Sequence, residues 1–363
     1  MLSLSKYQRS ITLKKAFRMI KAQVSRIDLQ FITPGQTSRG TLYSKPSWFF
    51  VLEQNGYSGV GECSVIPGLN PEYTDGYEQK ISEIAEKINS GVVPSLDDLD
   101  EFPSIRFGLE AALLDLQHEA PGILFPSAFT RGEKGIPING LIWMGSRQEM
   151  QMRIREKLVH GFRVLKLKVG ALDFDEEISL LKNIREQFNP ADLEIRLDAN
   201  GAFSADDALE NLKQLSEFHI HSIEQPIKSG QWEAMAEICN TSPLPVALDE
   251  ELIGINDQSL KERMLDIINP HFIILKPSLI GGLQKSREWI DLAAAKNTGW
   301  WATSALESNV GLNAIAQWVF TLKPQMVQGL GTGQVFSNNI GSPLELSGPE
   351  LFYQNNKSWN FKH

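Results

Sequence analysis

The sequence predicts an α/β protein, in which an α+β module precedes a (β/α)8-type barrel of the modified TIM kind. Three observations predict it. From about position 136 onward, short apolar runs alternate with helical stretches. Five consecutive runs end in charged residues. The preceding part reads in a different order, strands first and helices after. Strand-then-helix alternation implies parallel βαβ units, and eight such units suffice for a small barrel.

The first 18 residues carry Lys6, Arg9, Lys14, Lys15 and Arg18, with no acid before Asp28. They hold no apolar core of a signal peptide. A basic, serine-containing segment also fits a transit peptide, but the reading adopted is an extension (1–18) outside the fold, with Met19 as the expected start. The α+β module covers 19–125. Positions 24–32 and 48–53 are strand-like, and Asn55-Gly56 is a hairpin turn leading into 59–62. Ile81, Ile84, Ala85 and Ile88 then recur at helical spacing, as do Leu109, Ala112, Leu113 and Leu116.

The barrel is expected over 126–333. Its runs are 138–143, 164–169, 193–197, 220–223, 246–248, 272–275, 300–303 and 326–330, with helices at 175–187, 205–218, 283–296 and 309–321. The first run is weakly marked. A doubly wound open sheet is the alternative, but the chain has no GxGxxG or GxxxxGK[ST] turn. A C-terminal segment, 334–363, follows.

Composition narrows the function. The chain of 363 residues has 35 Lys and Arg against 44 Asp and Glu, a net charge of −9. That excess of acid is a poor fit to nucleic acid or an anionic membrane. No apolar run approaches the roughly 20 residues that cross a bilayer. Cys63 and Cys239 have no CxxC spacing, which excludes a disulfide scaffold and a cysteine-zinc module and fits the cytoplasm. The expected partner is a small molecule.

Barrel active sites form at the C-terminal ends of the strands. Here those ends read Lys166-Leu-Lys168, Asp198-Ala-Asn200, Glu224-Gln-Pro226, Asp249-Glu250 and Lys276-Pro277, spaced 25 to 30 residues apart. Three carboxylates meeting in one cavity need a cation or protonation to coexist. An all-oxygen set suits Mg²⁺. The lysines flank the carboxylates in barrel order, so they face each other across the site. Lys166 and Lys168 point to the same side at strand period. Their mutual repulsion should lower a lysine pKa toward the working pH.

At these residues the chain resembles the enolase superfamily in its muconate-lactonizing subgroup, and within it the o-succinylbenzoate synthases of menaquinone biosynthesis. Further matches are Gly61-Glu62-Cys63 with Pro67-Gly68-Leu69, the run from Ser104 to Glu110, and Ser304-Ala-Leu-Glu307-Ser308. The resemblance implies a capping role for the α+β module and a C-terminal segment that returns to it. It implies a lyase that dehydrates 2-succinyl-6-hydroxy-2,4-cyclohexadiene-1-carboxylate to 2-succinylbenzoate. Asp198, Glu224 and Asp249 would hold Mg²⁺, with Mn²⁺ able to substitute. Lys168 would move the proton and Lys276 would face the anion. Lys166 would tune Lys168 and touch the substrate, Asn200 and Glu250 would orient these groups, and Ser304 would line the substrate site.

An N-succinylamino acid racemase or other epimerase of the subgroup stays open, since two facing lysines also suit racemisation. Dipeptide epimerases carry acids at the eighth strand end, where this chain reads Gly329-Leu-Gly331-Thr-Gly333. A Schiff-base aldolase would need no carboxylate trio. A glycosidase pairing Glu224 with Glu307 leaves both lysines unexplained, and a zinc site at His219 and His221 lacks an HExxH partner. A barrel that only binds ligand would not need five polar strand ends together.

Overall fold

A computed structural model describes residues 19–37, 40–118, 120–143, 145–170 and 173–360. The 1–18 extension lies outside the described residues. Strands β1 (Lys21–Thr37), β2 (Gly40–Gln54) and β3 (Tyr57–Ser64) form an antiparallel sheet in that order. Asn55 and Gly56 take φ of 56° and 85°, the left-handed pair that a tight two-residue hairpin requires. Helix α1 (Tyr77–Asn89) buries Tyr77, Ile81, Ile84, Ala85 and Ile88 against this sheet. Helix α2 (Pro103–Gln117) opens on a proline and lies directly on β3. A Cβ on Gly59 or Gly61 would fall 2.3 Å from Ala112 O or 1.9 Å from Gly108 O, so only glycine permits that approach.

The second part alternates as the sequence predicts. After β4 (Ile136–Pro137) come β5 (Gly140–Ile142), α3 (Arg147–Val159), β6 (Val164–Lys168), α4 (Phe174–Gln187), β7 (Glu194–Asp198) and α5 (Ala205–Ser216). They are followed by β8 (Ser222–Glu224), α6 (Trp232–Thr241), β9 (Val246–Leu248), α7 (Gln258–Ile268), β10 (Phe272–Leu275), α8 (Gly282–Ala295), β11 (Gly299–Ala302) and α9 (Asn309–Leu322). Strands β5 to β11 make one parallel sheet of seven, ordered by sequence. Helices cover it, so the strands read as continuous apolar runs. The main core cluster fills the space between strands and helices.

Two expected runs differ. Positions 326–330 form no named strand. Gln328 bridges Ile138 and Gly329 bridges Thr303, so this segment touches both edges of the seven-stranded sheet. Glycines at 329, 331 and 333 weaken a regular ladder, and the Gln328 side chain accepts the Ala302 N–H at 2.8 Å in its place. The first run shortens to β5, while Ile136 and Pro137 just before it pair with β13 (Glu350–Tyr353), which forms a hairpin with β12 (Leu344–Ser347). Between α9 and that hairpin the chain passes β1, where Val335 O accepts from Ile32 N and Ser337 N donates to Gln30 O, both at 2.9 Å. Among the described residues no helix is long and apolar enough to cross a membrane.

Candidate active site

The register of the parallel sheet decides what meets what. Lys168 pairs with Asp198 across β6 and β7, and Asp198 with Glu224 across β7 and β8. Charged residues one βα unit apart in sequence thus become neighbours at the strand ends. Lys166 Nζ donates to Glu224 Oε1 at 2.6 Å and lies 2.7 Å from Asp198 Oδ2. Lys168 Nζ donates to the same Asp198 oxygen at 2.6 Å and to Asn200 Oδ1. Asn200 Nδ2 donates to Glu250 Oε1 at 2.9 Å. Lys276 Nζ donates to Asp249 Oδ2 from the far side of the row. Asp198, Glu224 and Asp249 are buried, while Lys168 and Lys276 are partly exposed.

The turns beyond the strands hold this arrangement. Asn200 and Gln225 take left-handed φ of 45° and 42°, a backbone state that bulky residues adopt only when their surroundings enforce it. Asp198 Oδ1 accepts the Asn200 N–H at 3.1 Å. The buried Gln225 amide accepts from Asp249 N at 3.2 Å and donates to Glu251 Oε2 at 3.0 Å. Nothing in sequence spacing singled out Gln225 for that task.

Burial and proximity set the charges. Burial alone would raise Asp198, but the Lys166 and Lys168 ammoniums hold it well below the usual carboxylate range. Burial, reinforced by Asp198, pushes Glu224 well above that range despite Lys166. Burial and the Asp249 charge also raise Glu250. Burial would lower Lys166, yet Asp198, Glu224 and Asp249 outweigh it and raise its pKa. The expected lysine–lysine repulsion is therefore not what governs Lys166, because carboxylate oxygens of Asp198 and Glu224 lie 2.7 and 2.6 Å from its ammonium. Lys276 is raised in the same way, burial being overcome by Asp249 and Glu250.

Lys166, Lys168, Asn200, Glu250 and Lys276 line a cavity of about 140 Å³, and Asp198, Glu224 and Asp249 are bonded to its lysines without lining it themselves. The N-terminal module supplies apolar side chains to it, Leu42 from β2 and Ile66 and Leu69 from the loop after β3. Glu250 Oε2, Asn139 Oδ1, Thr303 Oγ1 and Thr332 Oγ1 are buried without a hydrogen-bond partner, and all four residues line this cavity. Buried polar atoms are seldom left so, and their meeting in one cavity marks where a polar ligand fits. Asn139, Thr303 and Thr332 carried no motif, since only the closure of 328–332 against β5 and β11 brings them together. Ser304 lines the cavity too, but its hydroxyl donates to Glu307 at 2.6 Å and accepts from Leu306 N at 3.0 Å. His221 lies elsewhere, stacked on Phe272 at a centroid distance of 5.2 Å. Among the described residues no group of three acidic, histidine or cysteine side chains has the spacing of a metal site. The ammoniums of Lys166 and Lys168 lie against the carboxylates instead.

Comparison with known proteins agrees with this geometry. The enolase C-terminal domain-like family matches residues 149–344. The o-succinylbenzoate synthase of Desulfotalea psychrophila is 49% identical over 357 residues, spanning 89% of this chain and 96% of that one. The crystal structure of MenC from the same organism has a TM-score of 0.83 at 45% identity, covering 92% of this chain and 100% of that one. An N-succinylamino acid racemase of Amycolatopsis is 24% identical, over 91% of this chain and 90% of its own. This chain belongs to the enolase superfamily, in its o-succinylbenzoate synthase family.

Proposed function

We propose that this chain is an o-succinylbenzoate synthase, a carbon–oxygen lyase of menaquinone biosynthesis. Its reaction is dehydration of 2-succinyl-6-hydroxy-2,4-cyclohexadiene-1-carboxylate to 2-succinylbenzoate. The observation that carries the reading is one cavity lined by Lys166, Lys168 and Lys276, each bonded to a buried carboxylate at the end of a neighbouring strand. The near-full-length identity to a named synthase supports it. The barrel with a cap over 19–125 and a tail over 334–363 is the architecture we assign, and the cytoplasm the compartment. Both described cysteines are free thiols, in keeping with that compartment.

Asp198, Glu224 and Asp249 are the residues we assign to hold Mg²⁺, with Mn²⁺ able to replace it. The donor set fits a hard cation, being all carboxylate oxygen. The charge count fits as well. Four carboxylates, with Glu250, face three ammoniums, which leaves one negative charge unmatched. When bound there, Mg²⁺ supplies Lewis-acid stabilisation of negative charge on the substrate carboxylate. The remaining steps belong to the chain. Lys168 in its neutral form takes the ring proton α to the carboxylate, and Lys276 balances the resulting anion from the opposite face. Lys168 Nζ then returns the proton to the departing hydroxyl, so water leaves and the ring becomes aromatic. Lys166, kept cationic, binds carboxylate, and Asn200 holds Lys168 against Asp198. The unspent oxygens of Asn139, Thr303 and Thr332 are placed to meet the succinyl arm, while the apolar side keeps water from the ring.

The Amycolatopsis relative favours a second reading, N-succinylamino acid racemisation by the same two lysines. Both are tested together, by following 2-succinylbenzoate formation and racemisation with one Mg²⁺-loaded preparation. Rapid aromatisation establishes the lyase. Racemisation without it would overturn that reading.

A further inference from the structure

Glu307 is a fully buried carboxylate with no place in that reaction. It does not line the cavity, yet it joins two of the strand ends that do. Glu307 Oε2 accepts the Ser304 hydroxyl at 2.6 Å and the Ala305 N–H at 2.8 Å. Its other oxygen, Oε1, accepts the hydroxyl of the buried Ser278. Ser278 stands two residues after Lys276, in a turn closed by Leu279 N on Lys276 O at 2.8 Å. Ser304, Ala305 and Leu306 form cavity wall. Leu306 holds a left-handed φ of 60°, which a branched side chain adopts only under constraint. One carboxylate therefore joins the end of β10, which carries Lys276, to the end of β11, which carries the wall.

The N-terminal sheet braces this joint. Glu62 of β3 accepts Ser308 N at 2.9 Å, Ser308 Oγ at 2.5 Å and Gly311 N at 3.0 Å, at the start of α9. A Cβ on Gly311 would sit 2.8 Å from Glu307 Cβ and 3.0 Å from Glu62 Oε2, so the missing side chain makes room for both acids. Lys45, buried beside them, donates to Ser64 at 2.5 Å and to Ser47 at 3.0 Å, and Ser47 donates to Glu62 at 2.8 Å. Two neighbouring buried acids thus have a buried cation nearby, although no direct ion pair is formed.

We propose that Glu307 is a positioning residue, which sets Lys276 against the cavity wall by holding Ser278 and Ser304 on a single carboxylate. It touches no reacting atom and acts through the two loops. The inference rests on the lyase reading for its assay, but its variants are read relative to the parent enzyme, so the two fail separately. If the parent racemises instead, the same ratios are taken on racemisation.

The experiment compares Glu307→Gln, Ser278→Ala and the double variant as Mg²⁺-loaded enzymes, measuring kcat, KM, Tm and the stoichiometry of product binding. In Glu307→Gln the amide can keep Ser304 and Ala305 on its oxygen, but it meets Ser278 only with an NH2, so that hydroxyl must turn from donor to acceptor and the charge-assisted hold on Ser278 is lost while the side-chain volume is kept. Displacement of a reacting group by an ångström costs about 100-fold, and a loss of that order in kcat, with KM little changed, is expected. Product should still bind at one site per chain, which separates a displaced lysine from a smaller folded fraction. Ser278→Ala removes one hydroxyl and should lower kcat by about tenfold, and in the Gln background it should add almost nothing, since both changes cut one link. A folded Glu307→Gln with parental kcat would overturn the proposal, as would losses that multiply in the double variant. If Glu307→Gln does not fold, Ser278→Ala decides alone, and parental kcat there overturns it.

Discussion

Two buried clusters of charge lie one strand apart in this protein and behave differently. Around Lys168, three ammoniums press directly on Asp198, Glu224 and Asp249, and the neighbouring Glu250 keeps an oxygen unspent toward a cavity. Around Glu62, the carboxylates of Glu62 and Glu307 are filled by backbone N–H groups and serine hydroxyls, with no oxygen left over. Burial is equally deep in both, so burial of charge does not by itself mark a reaction site. What separates them is bonding capacity left facing a space that a ligand can enter. The first cluster borders a space a ligand can enter, and the second ties the N-terminal sheet to the start of α9.

That distinction predicts different failures. The largest effect is expected of Lys168→Ala, which removes the group proposed to carry the proton and leaves the carboxylates in place. One positioned acid–base group contributes about 10²–10⁴-fold, and here one residue serves twice, so kcat should fall by the upper end of that range or more. Product binding by calorimetry should persist. Near-parental turnover would break the comparison at its first term.

Asp198→Asn comes next. It removes an anion from the row assigned to Mg²⁺, so metal affinity and turnover should fall together, and chelation of the parent enzyme should abolish turnover until Mg²⁺ or Mn²⁺ is restored. Mg²⁺ titration beside kinetics checks both, and loss of affinity with no loss of rate would contradict the assignment.

Glu62→Ala should fail in the other manner. It strands buried N–H groups at the start of α9, at a cost of about 2–5 kcal/mol in unfolding free energy. Denaturant unfolding should show that loss, with the surviving folded enzyme losing far less rate than Lys168→Ala. A rate loss as large as that of Lys168→Ala would erase the difference between the clusters.

A smaller effect is expected where α2 meets α8. Helix α8 has no side-chain cap of its own, and Glu110 accepts Leu283 N at 2.7 Å and Gln284 N at 3.1 Å. Burial raises Glu110 to about 7, against the lowering pull of Arg106. A raised carboxyl pKa means the folded state binds the proton more tightly than the unfolded chain does. Its contribution is complete below the unfolded value of 4.5 and is lost as pH rises through about 7. The parent should therefore gain stability over Glu110→Gln as pH is lowered from 8 to about 5, by an amount on the order of 1–3 kcal/mol. A gap that does not change with pH would show that the carboxyl does not titrate in that window. Least of all, a chain beginning at Met19 should unfold at the parental Tm, since 1–18 shows no apolar period.

Much of this was legible in the sequence, for local reasons. Alternating runs place β6 to β11 within a residue or two, because a strand buried on both faces must be apolar along its length. Polar residues closing those runs stand out for the same reason, so Lys166, Lys168, Asp198, Glu224, Asp249 and Lys276 are visible before folding. Asn55-Gly56 is visible because few dipeptides tolerate two left-handed φ values. The run at 326–330 was misjudged because tertiary contact replaces a ladder there, the Gln328 side chain accepting the Ala302 N–H.

By itself, then, the sequence determined the α/β alternation, the order of the parallel strands and the charged residue that ends each of five of them. These follow from periodicity, which repeats over a few residues and needs no partner. Only the tertiary structure decided which charges touch, that Ser304 is spent on Glu307 while Thr303 is not, and that Glu62 and Glu110 reach across to the starts of α9 and α8. Those contacts join residues up to 249 positions apart, and a hydrogen bond depends on angles and distances that no spacing along the chain encodes.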